Sequence, residues 1–164
     1  MVNIKFGTDG WRAIIADTYT IYNVRRVAAG TAKWMNSKGY STVVVGHDCR
    51  FGGEMFLKAI TEIFCFHGIK VLYALDFVST PMVSLGVVKL KADLGIVITA
   101  SHNPPSYNGY KLKSHFGGPS SPAEITEVEN LIPESWDTPT PSFETYVNQG
   151  LASSVPLEDM YVSH

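Results

Sequence analysis

A hydroxyl group, an imidazole and two ammonium groups lie close together in one stretch of this sequence. Ser101 follows a buried, strand-like run and precedes His102, Asn103 and a Pro-Pro pair, which makes the loop rigid because proline fixes φ and carries no N–H. Lys111 and Lys113 alternate on the next predicted strand and therefore share one face. Such a cluster suits phosphoryl transfer, in which positioning and charge neutralisation dominate catalysis.

Other interpretations of this stretch stay open at the level of residue types. A serine hydrolase fits poorly, because the G-x-S-x-G elbow is absent and the side chains of Ser101 and His102 point apart in an extended segment. A capped turn in an ordinary surface loop explains the same residues as well as a catalytic serine does.

Two further segments could bind an anion. Residues 6–12 combine two glycines with Arg12, whose guanidinium group could form a forked pair with phosphate, although a plain turn before a strand would look the same. Residues 47–53 follow a predicted strand and precede a predicted helix, so their N–H groups could face an anion. They match neither the P-loop nor the dinucleotide fingerprint, which disfavours a nucleotide-binding domain. The alternative is an Asp48–Arg50 pair that only shapes the loop.

Composition narrows the class of protein. The 164 residues are 45% apolar with a net charge of -2, which is typical of one globular domain and excludes nucleic acid or an anionic membrane as a bulk partner. No apolar run approaches the ~20 residues that span a bilayer, and the N-terminus has no signal-peptide core. Cys49 and Cys65 fit no zinc or redox spacing, so we expect free thiols in a cytoplasmic protein.

The elements that position these residues alternate along the chain. Periodicity and end signals predict helices over 20–38 and 52–68, from 79–81 onward and over 121–132, and strands over 42–46, 69–73, 94–99 and 109–115. This order predicts an α/β fold, a three-layer α/β/α sandwich with a mostly parallel mixed sheet of about four strands. Sites in such sheets lie at the carboxyl ends of strands, where the loops after Val45 and Ile98 fall. The dipeptide Asn108-Gly109 predicts a turn.

The composition of the sequence changes after residue 132. Several prolines lie among Ser, Thr and Asp, and residues 156–162 again resemble the start of a helix. The pattern predicts one domain over 1–132, followed over 133–164 by a linker and the truncated start of a further domain.

Two of these motifs resemble those of a known family. Thr99–Lys111, which reads TASHNPPSYNGYK, closely resembles the phosphoserine loop of the α-D-phosphohexomutases, a family that includes phosphoglucomutase, phosphomannomutase and phosphoglucosamine mutase. Phe6–Arg12 resembles the N-terminal signature of the same family. The resemblance covers about residues 1–132 and identifies the chain with the domain that contains the phosphoserine loop.

The resemblance implies roles for the catalytic residues. Ser101 would carry a phosphoryl group and exchange it with a hexose 1-phosphate or 6-phosphate through a hexose 1,6-bisphosphate. Lys111 matches the lysine assigned as general acid/base, and Arg12 matches an arginine that contacts the phosphoserine region. His102 belongs to the same loop and would orient it.

The resemblance also implies ligands and partners. Four residues are expected to bind phosphate or substrate, namely Thr8, Arg50, Asn103 and Lys113. Mg²⁺ would use Ser101 as one ligand. Proteins of the family have four domains, and the metal loop, the sugar-specificity loop and the phosphate clamp are not found in this chain. We therefore expect that the chain needs the other domains as partners for turnover, and that it self-associates through surface they would cover.

The sequence departs from the family pattern at one position. His47 stands where the family often has an arginine, whereas Asp48 and Arg50 are kept. The competing hypothesis is a non-catalytic sugar-phosphate binding or assembly module that reuses the fold, since fold alone does not decide function.

Overall fold

Strands and helices alternate up to residue 98, as the sequence predicts. The computed structural model describes residues 1–7 and 10–164. Its elements are, in order, β1 (Trp11–Ile14), α1 (Ile21–Ser37), β2 (Thr42–His47), α2 (Gly53–Phe66), β3 (Lys70–Ala74), α3 (Thr80–Lys89), β4 (Leu94–Ile98), β5 (Tyr107–Ser114), α4 (Pro122–Leu131), α5 (Phe143–Asn148), β6 (Ala152–Val155) and α6 (Leu157–Val162).

The strands of the described residues form a single mixed sheet in the order β1-β5-β4-β2-β3-β6. Strands β4, β2, β3 and β6 run parallel to one another, whereas β5 is antiparallel to both β4 and β1. The sheet therefore has six strands rather than the expected four or so. The two additional strands, β1 and β6, lie at the edges and are only four residues long, so neither carries the alternating pattern that predicts a strand.

Helices cover both faces of the sheet, which confirms the three-layer α/β/α architecture. Val43 and Val45 point into the larger core with α1 and α2, while Val44 between them points into a smaller core with α3 and α6. This alternation follows from the two-residue period of a strand, and all three valines are fully buried because both faces are covered.

Side chains cap the N-termini of two helices, as the sequence predicts. The Thr20 hydroxyl accepts a hydrogen bond from the Asn23 amide at the start of α1. Ser121 and Glu124 form a reciprocal capping box at the start of α4. None of the helices in residues 1–7 and 10–164 is both long enough and apolar enough to cross a membrane.

Asn108 and Gly109 lie inside β5, so the prediction of a turn there is wrong. A Cβ atom added to Gly109 would lie 2.3 Å from the Thr99 carbonyl oxygen and 3.0 Å from that of Trp11. The glycine is therefore required where the backbones of neighbouring strands come close, and not for a tight turn.

The C-terminal part of the chain packs against the same sheet. Residues 143–162, within the stretch predicted as a linker and the start of a further domain, form α5, β6 and α6. Strand β6 pairs with β3 in parallel, and the Phe143 ring packs edge-on against Tyr73 at 5.1 Å. The predicted domain boundary at residue 132 stays a prediction.

Candidate active site

The two predicted loops meet at the carboxyl edge of the sheet. Strand β2 pairs in parallel with β4, with His47 opposite Ile98. The next amide, that of Asp48, donates a 3.1 Å hydrogen bond to the Ile98 carbonyl oxygen. The segment after β2 and the segment after β4 therefore leave the sheet side by side, which brings residues that are distant in the sequence into contact.

Ser101 is exposed at the tip of this edge and has an unusual backbone conformation. Its φ of 54° lies in the left-handed region, which costs a residue other than glycine about 1 kcal/mol or more. The Ser101 amide donates a 3.0 Å hydrogen bond to the Thr99 hydroxyl oxygen, and that hydroxyl group donates at 2.5 Å to the Asp48 carboxylate. A chain of hydrogen bonds thus joins Ser101 to the neighbouring loop.

The guanidinium group of Arg50 binds the backbone of the Ser101 loop. Its Nη2 atom donates to the carbonyl oxygens of Ser101 and Asn103, at 2.8 and 2.7 Å. Its Nη1 atom donates to those of Pro104 and Tyr107, at 2.8 and 3.1 Å. Three carbonyl groups of the Ser101 loop and one at the start of β5 therefore converge on a single cation from the neighbouring loop.

Asp48 holds the Arg50 side chain in this position. One carboxylate oxygen accepts a 3.0 Å hydrogen bond from the Arg50 amide, and the other lies 3.5 Å from the Arg50 Nε atom. The alternative interpretation of this segment, a pair that shapes the loop, is therefore observed. Direct binding of phosphate by Arg50 stays a prediction, since its guanidinium N–H groups already face the loop.

Arg12 reaches the Ser101 loop from β1. Arg12 lies opposite Gly109 of β5 in the sheet. The Gly109 carbonyl oxygen accepts a 3.2 Å hydrogen bond from the Thr99 amide. The Arg12 Nη1 atom donates a 2.8 Å hydrogen bond to the Asn103 side-chain oxygen. Two of the residues predicted for the site are therefore in direct contact beside Ser101.

Lys111 and Lys113 lie on one face of β5, as predicted, and only 6% and 8% of their surface is exposed. Lys111 pairs with Val97 and Lys113 with Gly95, so Lys113 lies about 7 Å further from the carboxyl end of β4. A Cβ atom on Gly10 would approach the Lys111 Cγ atom at 3.0 Å, so the lysine stem packs closely over this glycine.

The two remaining predicted residues are His102 and Thr8. His102 is exposed and follows Ser101 in the same turn. Thr8, the predicted phosphate ligand in the N-terminal signature, lies outside the described residues.

Three residues that support the site were not predicted. The Tyr19 hydroxyl group donates a 2.7 Å hydrogen bond to the Gly109 carbonyl oxygen, and complete burial raises the pKa of Tyr19 well above its usual value. Asn108 is fully buried and donates a 3.3 Å hydrogen bond to the Phe51 carbonyl oxygen. Thr99 and Asn108 lie within the motif Thr99–Lys111 and could have been proposed as site residues. No local sequence signal points to Tyr19.

His47 is buried beneath the loop that carries Arg50. Its ring packs edge-on against Phe77 at 5.7 Å, and its Nδ1 atom lies 2.7 Å from the Asp48 carbonyl oxygen. A Cβ atom on Gly53 would lie within 2.4 Å of this ring, so the histidine fills the space at the start of α2. These contacts give His47 a packing role.

The residues around Ser101 do not by themselves fit a Mg²⁺ site. Across residues 1–7 and 10–164, the structure has no group of three or more His, Cys, Asp or Glu side chains that could hold a metal ion. Mg²⁺ requires about six oxygen ligands, and both oxygens of nearby Asp48 already contact Arg50 or Thr99. The predicted role of Ser101 as a metal ligand stays a prediction.

Comparison with known proteins gives consistent results. Residues 3–137 match the family model described as "Phosphoglucomutase/phosphomannomutase, alpha/beta/alpha domain I". The chain is 40% identical over 147 residues to a phosphoglucosamine mutase of Leuconostoc mesenteroides, and 31% identical over 154 residues to a phosphoglucomutase of Staphylococcus saprophyticus. These alignments cover 85% and 90% of this chain.

A solved structure agrees with the sequence comparison. A protein from Thermus thermophilus that is assigned as a phosphomannomutase superposes with a TM-score of 0.90 at 34% identity, over 99% of this chain and 35% of that one. The chain spans 32% and 28% of the Leuconostoc and Staphylococcus relatives. Since the family model matches most of its residues, the chain belongs to the phosphoglucomutase/phosphomannomutase family and contains its α/β/α domain I.

Proposed function

We propose that Ser101 is the phosphoryl carrier of a phosphohexomutase, which interconverts a hexose 1-phosphate and a hexose 6-phosphate through a hexose 1,6-bisphosphate. The observation that carries this proposal is the exposed Ser101 hydroxyl group on a loop that is already held in shape. Two observations support cations beside the phosphoryl group: Arg12 donates a hydrogen bond to Asn103 of this loop, and Lys111 pairs with Val97 near the end of β4.

Lys111 is the proposed general acid/base. When the phosphoryl group moves from Ser101 to a sugar hydroxyl group, the bond between phosphorus and the Ser101 oxygen breaks and a bond to the sugar oxygen forms. The Lys111 ammonium group gives a proton to the departing serine oxygen, and the sugar hydroxyl proton leaves to solvent. The reverse transfer returns each proton, and a positioned acid/base of this kind contributes about 10²- to 10⁴-fold.

The other predicted residues bind or orient in this proposal. Arg12 and Asn103 form a pair beside the phosphoserine, and His102 orients the same loop. Thr8 and Lys113 contribute to phosphate binding. Mg²⁺ would balance the phosphoryl charge and would take most of its oxygen ligands from residues other than those around Ser101.

We further propose that this chain alone does not turn over its substrate. It spans about a third of the relatives it matches, and the described residues around Ser101 do not complete a metal site. Phe51, Leu75 and Phe77 are 74%, 70% and 65% exposed and line one groove beside the Arg50 loop. We expect further domains of the same protein to cover such surface, the isolated chain to self-associate through it, and the protein to act in the cytoplasm.

Intact mass spectrometry after incubation with glucose 1,6-bisphosphate tests the proposal. We expect a gain equal to one phosphoryl group, which Ser101→Ala abolishes and which the control Ser106→Ala keeps. We also expect that the chain alone does not interconvert glucose 1-phosphate and glucose 6-phosphate at enzyme-like rates. No gain in mass by the wild-type chain would favour the binding or assembly module, and enzyme-like turnover would contradict the need for further domains.

A further inference from the structure

Arg50 binds the backbone around Ser101. Its guanidinium group donates hydrogen bonds to the carbonyl oxygens of Ser101, Asn103, Pro104 and Tyr107. These contacts cross from the loop after β2 to the loop after β4. The side chain is only partly exposed and its Nε atom faces the Asp48 carboxylate.

We propose that Arg50, aligned by Asp48, is the positioning residue that sets the conformation of Ser101 before any ligand binds. This inference rests on the proposed function of Ser101 and adds a residue that acts without touching the substrate. Arg50 holds the carbonyl end of Ser101, while Asp48 holds its amide end through the Thr99 hydroxyl group. Both ends of the Ser101 residue are therefore tied to the same ion pair.

The backbone conformation of Ser101 explains why a positioning residue is needed. A left-handed conformation at a residue other than glycine persists only where the surroundings over-determine it. Removing either tie would let φ return to the preferred negative range, which would move the side chain to a different place. A misplacement of about 1 Å at a reacting group is enough to cost about 10²-fold in rate.

The charge of Arg50 has a second consequence for the reaction. Carbonyl oxygens carry partial negative charge, and four of them lie in or directly after the loop that would hold a dianionic phosphoryl group. A guanidinium group that binds all four offsets this charge and lowers the repulsion a phosphoryl group meets on Ser101. Lysine would supply the charge but not the planar fork of donors.

Arg50→Lys tests the inference, with Arg25→Lys as the matched control. Arg25 forms an ion pair with Glu62 at 3.4 Å on α1 and α2, away from the Ser101 loop. We expect amide hydrogen exchange in residues 100–107 to rise by about tenfold or more in Arg50→Lys, with exchange in the core strands unchanged. Phosphoryl uptake from glucose 1,6-bisphosphate should fall by about 10²-fold, and the control should match the wild type in both measurements.

Two further variants keep the test decisive if Arg50→Lys folds poorly. Asp48→Asn should also raise exchange in the Ser101 loop and slow phosphoryl uptake, by a smaller factor. Arg50→Ala should regain uptake when millimolar methylguanidinium is added, but not with an equal concentration of sodium chloride. A purely structural loss of the side-chain stem would not be rescued in this way.

The outcomes separate the inference from the function on which it rests. Unchanged loop exchange in Arg50→Lys, or faster exchange with unchanged phosphoryl uptake, would overturn the positioning role. If the wild-type chain takes up no phosphoryl group, the proposed function fails. The exchange measurement then still decides whether Arg50 holds the loop.

Discussion

The Tyr19 hydroxyl group donates a 2.7 Å hydrogen bond to the Gly109 carbonyl oxygen, which also accepts a hydrogen bond from the Thr99 amide. The tyrosine is fully buried and stacks on Trp11 with 4.7 Å between ring centroids. It therefore supports, from the core, the point where β4 ends and the Ser101 loop begins. The base of the site is fixed by packing, and its tip by the Arg50–Asp48 pair.

Replacing Tyr19 by phenylalanine should lower the free energy of unfolding by about 1 kcal/mol near neutral pH, the value of one hydrogen bond whose acceptor keeps another donor. Burial raises the Tyr19 pKa, so above about pH 10 the unfolded tyrosine loses a proton that the folded one keeps. The stability that Tyr19 adds is thus complete below about pH 10 and declines above it.

Urea unfolding of both chains at about pH 7 and about pH 10.5 checks this prediction, since the unfolded tyrosine titrates between these values. The stability difference between the wild type and Tyr19→Phe should shrink at the higher pH. Tyr110 is also buried and has a raised pKa, but it is present in both chains and cancels from the comparison. A difference that grows with pH would contradict the account.

Gly109→Ala should destabilise the chain by about 3 kcal/mol or more, because the new methyl group would meet the backbone carbonyl oxygens of Thr99 and Trp11. Gly68→Ala is the matched control. Gly68 has a φ of 79° with nothing within 4 Å of an added Cβ atom, so only the left-handed backbone penalty of about 1 kcal/mol applies. Equal losses in thermal unfolding would show that close approach is not the reason for Gly109.

Lys111→Met should slow phosphoryl uptake by about 10²-fold or more while the chain stays folded, since methionine keeps the buried stem and removes the proton donor. Lys113→Met is the control, because Lys113 is buried on the same face but lies further from the loop. Its effect on uptake should be clearly smaller. Rapid-quench measurements of both variants check this order, and the reverse order would assign the acid/base role to Lys113.

The two cysteines should differ sharply in reactivity. Burial raises the pKa of the Cys65 thiol to about 12, so it stays protonated and enclosed near pH 8, whereas Cys49 is exposed in the loop before Arg50. A thiol reagent should label one group per folded chain and both after unfolding in urea. Cys49→Ser should remove the fast reaction, and rapid labelling of that variant would contradict the burial of Cys65.

The sequence predicts the interior of the fold well and its edges poorly. Strands β2 and β4 are apolar runs that need burial on both faces, so the residues alone indicate them. Strands β1 and β6 exist because they pair with β5 and β3. Because such pairing depends on distant parts of the chain, strands of only four residues show no sequence pattern that predicts them.

The same limit applies to the site. The types and order of residues indicate that Ser101 and Lys111 belong together, because Lys111 lies on the strand that follows the Ser101 loop. The family resemblance adds Arg12. They do not indicate whether a cation faces a ligand or the backbone. Arg50 was expected at a phosphate, yet its donors face four carbonyl groups, and only the three-dimensional arrangement of the two loops reveals this.

Return of the phosphoryl group from Ser101 to a sugar phosphate tests the central claim most directly. The chain is labelled with glucose 1,6-bisphosphate that carries radioactive phosphorus, freed of donor and mixed with unlabelled glucose 6-phosphate. We predict that the label maps to the peptide containing Ser101, is absent in Ser101→Ala, and leaves the protein as glucose 1,6-bisphosphate. Label on another residue, or label on Ser101 that glucose 6-phosphate does not remove, would contradict the account.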